Sequence, residues 1–224
     1  MLSKRLAAVA EFIPTGSRLL DVGSDHAYLP IALVQSGRID FAVAGEVVQG
    51  PYESALTNVA QEGLDNQIRV RLANGLAALE ASDGITAISI CGMGGRLIAE
   101  ILDKGRAQLA GVQRLILQPN NREDDLRLWL ATNSFTIVAE SILQENDKIY
   151  EIIVAEPGQM ALTPDQTRFG VYLPQESSAI FQEKWSRELA KLDYALTQVP
   201  LEHEDQRLVL IDKISKIKEI CHAS

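Results

Sequence analysis

The stretch RLLDVGSDHAYLP, residues 18–30, decides the fold, because an apolar strand passes through a short turn into an apolar helix. Gly23 suits a turn in which the backbone comes close to a ligand. A dinucleotide-binding turn would carry Gly-x-Gly-x-x-Gly, and its further glycines are missing here, so a pyrophosphate cradle is disfavoured. Asp21 at the end of the strand suits a cationic or amine-bearing ligand instead. The motif alone fits an ordinary polar turn equally well.

Apolar runs that predict strands alternate with amphipathic runs that predict helices. The predicted strands are residues 18–22, 41–44, 68–72, 85–90, 112–117, 136–142 and 150–155. The predicted helices are residues 2–13, 28–35, 51–62, 96–102 and 123–131. This alternation implies an α/β fold, with a mainly parallel sheet that helices cover on both faces. The last two strands have no helix between them and predict an antiparallel pair at one edge, where a symmetric dinucleotide fold would place a helix.

The chain changes character after the last predicted strand. Residues 157–174 are rich in Pro, Gly and Thr, which indicates a connection. Two helical patterns follow, and their apolar positions are Phe181, Trp185, Leu189, Leu192, Leu196 and Val199, then Leu208, Ile211, Ile214, Ile217 and Cys221. Because Pro200 separates them, they predict an antiparallel helical hairpin. We expect a sheet domain in residues 1–157 and a C-terminal helical domain in residues 158–224.

Composition limits the class of protein. Of 224 residues, 46% are hydrophobic and 23% are charged, as in a globular protein with a full core. The net charge of −9 argues against coating nucleic acid by bulk charge but allows a local basic patch. Two distant cysteines and three histidines offer no metal-ligand spacing, and the cysteine usage favours a reducing, cytosolic compartment. We find no signal peptide and no apolar run long enough to span a bilayer.

Polar residues follow the predicted strands, whose carboxyl ends meet at one edge of the sheet. Glu46, with Val47 after it, ends the second strand and can accept both hydroxyls of a ribose. Asn74 and Gly75 follow the third strand, where an amide can face an adenine edge. Strand-end acids and turn amides are also common for structural reasons alone. Taken together with Asp21, the set favours a ligand site.

Three glycines in four positions follow the fourth strand, within Cys91-Gly92-Met93-Gly94-Gly95. They keep side chains away from the edge at which ligands bind, and a purely structural turn rarely needs so many. Cys91 fits a small buried apolar residue better than a nucleophile, because no histidine is evidently paired with it.

Amides follow the fifth strand, in Gln118-Pro119-Asn120-Asn121, and they can recognise a planar base. Asn121 alternatively caps the next helix. We interpret His26 as a ligand-lining or hydrogen-bonded turn residue rather than a base. Motifs of the Gly-x-Ser-x-Gly, Walker and His-Glu-x-x-His types are missing, so hydrolase, nucleotide triphosphatase and zinc protease classes have no support.

Five segments in this order resemble the TrmK family of bacterial tRNA (adenine(22)-N(1))-methyltransferases: DVGSDHAYLPI, AGEVVQGPYESA, RLANGL, ICGMGG and LQPN. The resemblance covers residues 2–155, and the helical C-terminal appendage is also similar to that family. It implies a class I methyltransferase fold, a Rossmann-like sheet of seven strands, and S-adenosyl-L-methionine (SAM) as the cofactor. It also implies methylation of N1 of an adenine in the D-arm region of tRNA, without a metal.

The resemblance assigns roles to particular residues. The cofactor residues that it implies are Asp21, Gly23, Asp25, His26, Glu46, Val47, Asn74, Gly75, Cys91, Gly92 and Gly94. Met93, Asn120 and Tyr28 are implied as catalytic, with Tyr28 a candidate to stack on the target adenine, and Gln118 and Pro119 as contacts to that base. Basic groups expected to contact tRNA are Arg96, Arg122, Lys213 and Lys216, with Lys4, Arg5 and Arg127 as further candidates. Ordinary solvated surface accounts equally for any one of these cations.

The chemistry suits a site without an activated nucleophile. Adenine N1 is neutral at pH 7 and has a free lone pair, so in-line placement at a dry site supplies much of the acceleration. N1 lies on the pairing edge, so the base must be unpaired or turned out. Other classes stay open: a class I methyltransferase acting on a small molecule or protein, or a non-catalytic nucleotide-binding module. A nucleotide-linked dehydrogenase is disfavoured by the missing glycines.

Overall fold

The computed structural model describes residues 2–222 as an α/β fold with one seven-stranded sheet. The strands are β1 (Arg18–Val22), β2 (Phe41–Glu46), β3 (Ile68–Leu72), β4 (Ala87–Met93), β5 (Arg114–Pro119), β6 (Phe135–Glu145) and β7 (Lys148–Pro157). The α-helices are α1 (Lys4–Glu11), α2 (Tyr28–Gln35), α3 (Gln49–Gln61), α4 (Gly95–Lys104), α5 (Glu123–Thr132), α6 (Pro164–Phe169), α7 (Leu173–Glu176), α8 (Ala179–Gln198) and α9 (Glu204–His222). The predicted α/β class is confirmed.

The strand order is β3-β2-β1-β4-β5-β7-β6, in which β1 to β6 run in one direction and β7 runs antiparallel to its neighbours β5 and β6. The antiparallel pair is as predicted, and β7 inserts between β5 and β6. At the carboxyl edge, β2, β4 and β5 extend beyond their predicted ends, because the ladders still pair Glu46 with Leu72 and Met93 with Pro119. Strand-end residues at the carboxyl edge are therefore held by the sheet itself.

Each face of the sheet carries a separate apolar core. Leu20 and Ile88 are fully buried on one face, where α4 and α5 contribute Ile98 and Leu126. Leu19 is fully buried on the other face, together with residues of α1, α2 and α3. This alternation follows from the two-residue period of a strand. Each fully buried leucine contributes about 1.5–3 kcal/mol relative to its exposed state, so both faces hold the strand ends in place.

Helices α8 and α9 form the predicted antiparallel hairpin. At its tip, Arg207 Nη1 donates to the carbonyls of Leu196 (3.0 Å) and Val199 (2.8 Å). At its base, Gln182 Nε2 donates to the carbonyl of Cys221 (3.4 Å).

The predicted apolar seam of the hairpin is only partly correct. Ile214 and Ile217 are buried, but Leu208 is 61% exposed and Ile211 42%. The base of the hairpin also packs on Phe169 and neighbouring helices, whereas at the tip α9 has only α8 to cover it.

The segment 157–174, predicted as a connection, joins the sheet to the hairpin and contains the helix α6 and the start of α7, which were not predicted. Thr163 accepts a hydrogen bond from the Gln166 amide (3.1 Å), and Gln166 accepts one from the Thr163 amide (3.0 Å). Pro164 occupies the first turn, where its missing N–H costs nothing. Thr163 and Gln166 form a capping box, and with Pro164 they make a local helix signal that the Pro and Thr content obscured.

A buried ion cluster joins the hairpin to the sheet. Arg127 of α5 is fully buried and donates to Glu140 of β6 (2.7 Å) and Glu151 of β7 (2.5 Å). Lys184 of α8 completes the cluster through Glu151 (2.6 Å) and Glu123 (2.8 Å). Burial alone would lower the pKa of Arg127, but the two carboxylates raise it overall. Arg127 is therefore structural, and the prediction that it contacts RNA is wrong.

No helix within residues 2–222 is both long and apolar enough to cross a membrane.

Candidate active site

A cavity of about 340 Å³ opens at the carboxyl edge of the sheet, above β1, β4 and β5. It is lined by Arg5, Leu6, Asp21, Gly23, Ser24, Asp25, Cys91, Gly92, Met93, Asn120 and Tyr150. Six of the predicted cofactor or catalytic positions on β1 and its loop or on β4 meet here, together with Asn120. They converge because the carboxyl ends of parallel strands lie at the same edge of the sheet.

Asp21 lies in the floor of the cavity and is held from two sides. Its Oδ1 accepts a hydrogen bond from Ser89 Oγ and its Oδ2 one from Ser24 Oγ, both at 2.6 Å. Burial raises the pKa of Asp21, and the two serine hydroxyls oppose that change. The carboxylate is thus fixed in orientation, and a donor on a ligand would be met by an already placed acceptor.

Glu46, the last residue of β2, is only 6% exposed. Its Oε1 is buried and accepts no hydrogen bond from any residue in the described range 2–222. Burial raises the pKa of Glu46, the charges of Asp21 and Asp25 add to this, and a backbone N–H of Asp25 opposes it. A buried acceptor without a donor costs about 1–3 kcal/mol. A ribose hydroxyl would supply that donor, so Glu46 fits the nucleoside part of SAM.

The loop after β1 is strained. Gly23 has φ +66°, and a Cβ at this position would collide with the terminal methyl of Met93. Asp25, His26 and Ala27 follow with φ of 46°, 67° and 60°, although side chains disfavour this left-handed region. His26 is tied down by its carbonyl, which accepts from Asn58 Nδ2 (3.0 Å). Such strain concentrates at ligand-binding turns, where it holds the backbone in the conformation that the ligand needs.

The loops after β4 and β5 are packed against each other. Asn120 donates from its backbone N–H to the Met93 carbonyl and from its Nδ2 to the Gly92 carbonyl, both at 2.7 Å. A Cβ on Gly95 would overlap the Arg122 carbonyl, and one on Gly94 would lie 3.1 Å from Asn121 Oδ1. The glycines are therefore required for close loop packing as well as for ligand access. Asn120 remains exposed at the cavity wall.

Cys91 contributes to the wall of the cavity, and burial raises the pKa of its thiol far above the ordinary value. The raised pKa favours the protonated thiol over the nucleophilic thiolate.

Gln118 and Pro119 are both buried and do not reach the cavity wall. Gln118 Oε1 accepts from Arg5 Nη1 (2.7 Å) and the Gly92 amide (3.0 Å), and its Nε2 donates to the Pro119 carbonyl (2.9 Å) and Asn120 Oδ1 (3.2 Å). The amide is fully used within the protein. The prediction that these residues contact the base is wrong, and Gln118 instead positions Asn120.

Two further predictions about the chain around this edge need correction. Asn121 does not cap α5, because Arg122 occupies the cap position with φ +55° and no side chain provides a capping hydrogen bond. Tyr28 does not line the cavity. It is 51% exposed and borders a separate cavity with Leu2 and Asn58, with its ring 5.4 Å from that of His26.

Tyr150 is the aromatic side chain that does line the cavity. The Arg5 guanidinium lies 5.7 Å from the centre of its ring, and the same guanidinium is held by Gln118. Neither residue stands in a recognisable motif: Arg5 belongs to an amphipathic helix, and Tyr150 lies near the start of a hairpin strand. Only the insertion of β7 beside β5 brings Tyr150 to this edge, and the alternation of the last two strands gives no sign of it.

Two residues expected beside the cofactor adenine fall outside this cavity and line a separate one. Asn74 and Gly75 line it, and Val47 is 63% exposed. The Ala73 amide donates to the Glu46 carbonyl (2.7 Å), which keeps the loop after β3 beside Glu46.

Most of the cations predicted to contact tRNA are paired within the protein. Arg96 and Arg122 share Asp125, at 2.5 and 2.7 Å. Lys216 contacts Glu219 at 3.0 Å and Asp165 at 3.6 Å, and Lys213 is exposed. No cluster of three or more His, Cys, Asp or Glu that could hold a metal occurs in residues 2–222.

The sheet order, the strained glycine turn after β1 and the acid at the end of β2 define a class I SAM-dependent methyltransferase. The family model described as TrmK, tRNA (adenine(22)-N(1))-methyltransferase, matches residues 19–219. The chain belongs to this TrmK family.

Individual relatives agree over nearly the whole chain. The tRNA (adenine(22)-N(1))-methyltransferase of Bacillus subtilis (strain 168) is 40% identical over 98% of this chain and 96% of its own. A Streptococcus pneumoniae protein solved with SAM is 58% identical, with a TM-score of 0.94, covering 99% of this chain and 100% of its own.

TrmK of M. capricolum, solved with S-adenosyl-homocysteine, is 31% identical, with a TM-score of 0.89, over 99% of this chain and 98% of its own. The predicted family, enzyme class and cofactor are thereby confirmed.

Proposed function

We propose that this chain transfers the methyl group of SAM to N1 of adenine 22 in tRNA, and that the cavity between Asp21, Asn120 and Tyr150 is where the transfer takes place. The buried, unpaired Oε1 of Glu46 supports this most directly, because it leaves an acceptor for a nucleoside hydroxyl at the end of β2, the strand beside β1. The family match supports the substrate.

Different residues would bind different parts of the cofactor. Glu46 would accept the ribose hydroxyls, and Asn74 and Gly75 would border the adenine. Asp21, fixed by two serines, would accept from a donor of the methionine part. When bound, SAM supplies an electrophilic methyl group on a sulfonium. Gly23 and Gly92 line the cavity without side chains of their own, and Gly23 lets Met93 pack closely against the turn after β1.

The target base would be held by Asn120 and Tyr150. Asn120 uses one hydrogen of its Nδ2 on the Gly92 carbonyl, and its second hydrogen is available to a ring nitrogen of adenine. The ring of Tyr150 gives a surface on which a base can stack, which is worth about 1–3 kcal/mol. Both residues act by orientation, since N1 needs no proton removed before it attacks the methyl group.

The substrate sets further expectations for the chain. N1 is on the pairing edge, so adenine 22 must leave its partner to enter the cavity. We propose that residues 1–157 bind SAM and the base, that residues 158–224 help to hold the tRNA, and that the protein works in the cytoplasm, where the tRNA of bacteria such as these relatives is found.

Nucleoside mass spectrometry tests the proposal. A tRNA transcript with adenine at position 22 is incubated with the protein and SAM carrying a labelled methyl group, beside the same transcript with guanine there. We expect labelled 1-methyladenosine from the first transcript alone. Equal labelling of both transcripts would contradict the target position, and the absence of labelled 1-methyladenosine from both transcripts would contradict the activity.

A further inference from the structure

A groove of about 470 Å³ adjoins the catalytic cavity and shares its wall at Asn120. It runs between the start of α5 and the exposed side of α8. Five basic side chains line it, against three acidic ones: Arg122, Arg168, Lys184, Arg187 and Lys191. A local excess of positive charge is notable in a chain whose net charge is −9. The groove is therefore a place where a polyanion can approach the cavity.

Four of these five cations have partners within the protein. Lys184 belongs to the buried ion cluster, and Arg122 pairs with Asp125. Arg187 donates to Glu183 Oε1 (2.6 Å) and the Asp147 carbonyl (3.0 Å). Lys191 Nζ lies 3.6 Å from Glu188. Their charges are at least partly neutralised.

Arg168 is different. Its guanidinium makes neither a hydrogen bond nor an ion pair with any other residue of the described range 2–222. It lies 5.2 Å from the ring centre of Phe169 and 5.6 Å from that of Trp185. Burial lowers the pKa of Arg168 and outweighs the effect of the surrounding acids, of which Glu188 is the strongest. Five N–H donors on a fixed cation are thus held against two aromatic rings without an acceptor.

Trp185 lines the same groove and is 6% exposed, and its indole Nε1 is buried without an acceptor in the part of the chain that the structure describes. Because that N–H is buried, the half-buried guanidinium of Arg168 is the donor that a ligand in the groove can reach. A guanidinium without an acceptor, held against two aromatic rings, is complementary to an anion that has several acceptor oxygens.

We propose that Arg168 and the groove around it bind a phosphodiester of the RNA strand next to the target nucleotide. This proposal rests on the proposed function, because the groove and the cavity that the target base enters share Asn120 in their walls. An arginine suits this task because its planar fork binds two phosphate oxygens at once. The acids of the groove keep its other cations oriented and limit binding of unrelated polyanions.

The test uses the full chain with Arg168→Gln, and Arg69→Gln as a matched control. Arg69 is an exposed arginine on β3, at the opposite edge of the sheet. Equilibrium binding of the unmodified tRNA transcript is measured at several salt concentrations, without SAM. We expect Arg168→Gln to weaken binding about tenfold at low salt and to reduce the slope of log affinity against log salt by roughly 1. Arg69→Gln and wild type should agree, and SAM affinity should be equal in all three proteins.

Two further variants guard against a folding artefact. Arg168→Lys keeps the charge and should recover most of the salt slope without the full affinity, because a lysine cannot form the planar fork. Lys191→Gln removes a cation that is 75% exposed and cannot disturb packing. It should lower the salt slope to a smaller extent. Unchanged tRNA affinity and slope in Arg168→Gln would overturn the groove site while methylation by the wild type upheld the proposed function. Failure of the wild type to methylate would instead count against the function, even if the salt slope changed.

Discussion

Ser89 Oγ donates a 2.6 Å hydrogen bond to Asp21 Oδ1 across the pair β1–β4, where the two residues are direct partners in the parallel register. The contact is possible because β4 lies beside β1 in the sheet although the two strands are far apart in the chain. Partner side chains in a parallel pair point to the same face, so a serine at this position reaches the carboxylate without strain. The orientation of the Asp21 carboxylate therefore depends on the strand order.

Asp21→Asn should weaken SAM binding without unfolding the chain. The variant keeps the shape and loses the charge, and a hydrogen bond to a charged group contributes roughly 1.5–3 kcal/mol, so the dissociation constant should rise about tenfold or more. Titration calorimetry measures the constant. Ser89→Ala, which removes one of the two supporting hydroxyls, should have a smaller effect in the same direction. Wild-type affinity in Asp21→Asn would remove this residue from the cofactor site.

Glu46 should make SAM binding dependent on pH. Burial raises the pKa of Glu46 in the free protein, so the carboxyl takes up a proton at a pH where an ordinary glutamate is ionised. Ribose hydroxyls donate more strongly to the ionised form, and SAM affinity should rise as pH increases from the ordinary pKa of glutamate through the raised one. Glu46→Gln should bind weakly with a flatter profile. A profile identical to that of wild type would assign the titration to another group.

The raised pKa of Glu46 also predicts how the stability of the free protein changes with pH. The folded state holds the proton more tightly than the unfolded state, so Glu46 favours folding less as pH rises through this window. The melting temperature of wild type relative to Glu46→Gln should therefore fall from acidic toward neutral pH. Calorimetric melts of the two proteins in one buffer series provide the comparison, and a relative melting temperature that rises with pH would mean that the pKa is lowered instead.

Asn120→Ala should lower turnover more than SAM affinity. Its side chain lies at the wall of the cavity and is oriented by Gln118 and the Gly92 carbonyl. Loss of an orienting contact reduces the rate of methyl transfer, by about tenfold or more, while cofactor binding is preserved. Single-turnover rates and SAM titrations should be measured together. An equal loss in both quantities would place Asn120 in the cofactor site.

Tyr150→Ala should reduce kcat/KM for tRNA by about tenfold, as expected from the loss of one base–aromatic stack. Tyr150→Phe keeps the ring and should retain most of the activity. Tyr28→Ala is the matched comparison, because Tyr28 is a half-exposed tyrosine outside the cavity. If Tyr28→Ala were the more damaging of the two, stacking would have to be assigned to Tyr28 after all.

Arg127→Met should destabilise the fold strongly, because it leaves Glu140 uncompensated in the core. Breaking a buried ion pair from one side typically costs about 3–5 kcal/mol. Urea unfolding measures this change, and Arg106→Met, which removes an exposed partner of Asp103, should change the stability far less. A small effect of Arg127→Met would show that water reaches the cluster.

Much of the sheet can be predicted from the sequence, because strands such as Arg18–Val22 are short, continuous apolar runs bounded by turn residues. The acids at the ends of β1 and β2 are predictable for the same reason. The roles of Gln118 and Tyr28 are not, because they depend on burial and on which loops pack together. Arg5 and Tyr150 meet only through long-range pairing of α1 and β7 with the cavity edge, and no local pattern encodes such a contact.

The ion cluster of Arg127 and Lys184 has a geometric consequence. It fixes the base of α8 to the sheet, while exposed apolar side chains lie near the tip of the hairpin, at Tyr194 of α8 and at Leu201 in the turn after it. A helix of 20 residues spans about 30 Å at a rise of ~1.5 Å per residue. The hairpin is thus anchored at its base, and its tip lies about the length of α8 away from that anchor. A partner that contacts the hairpin tip and the cavity at the same time must therefore span the distance between them.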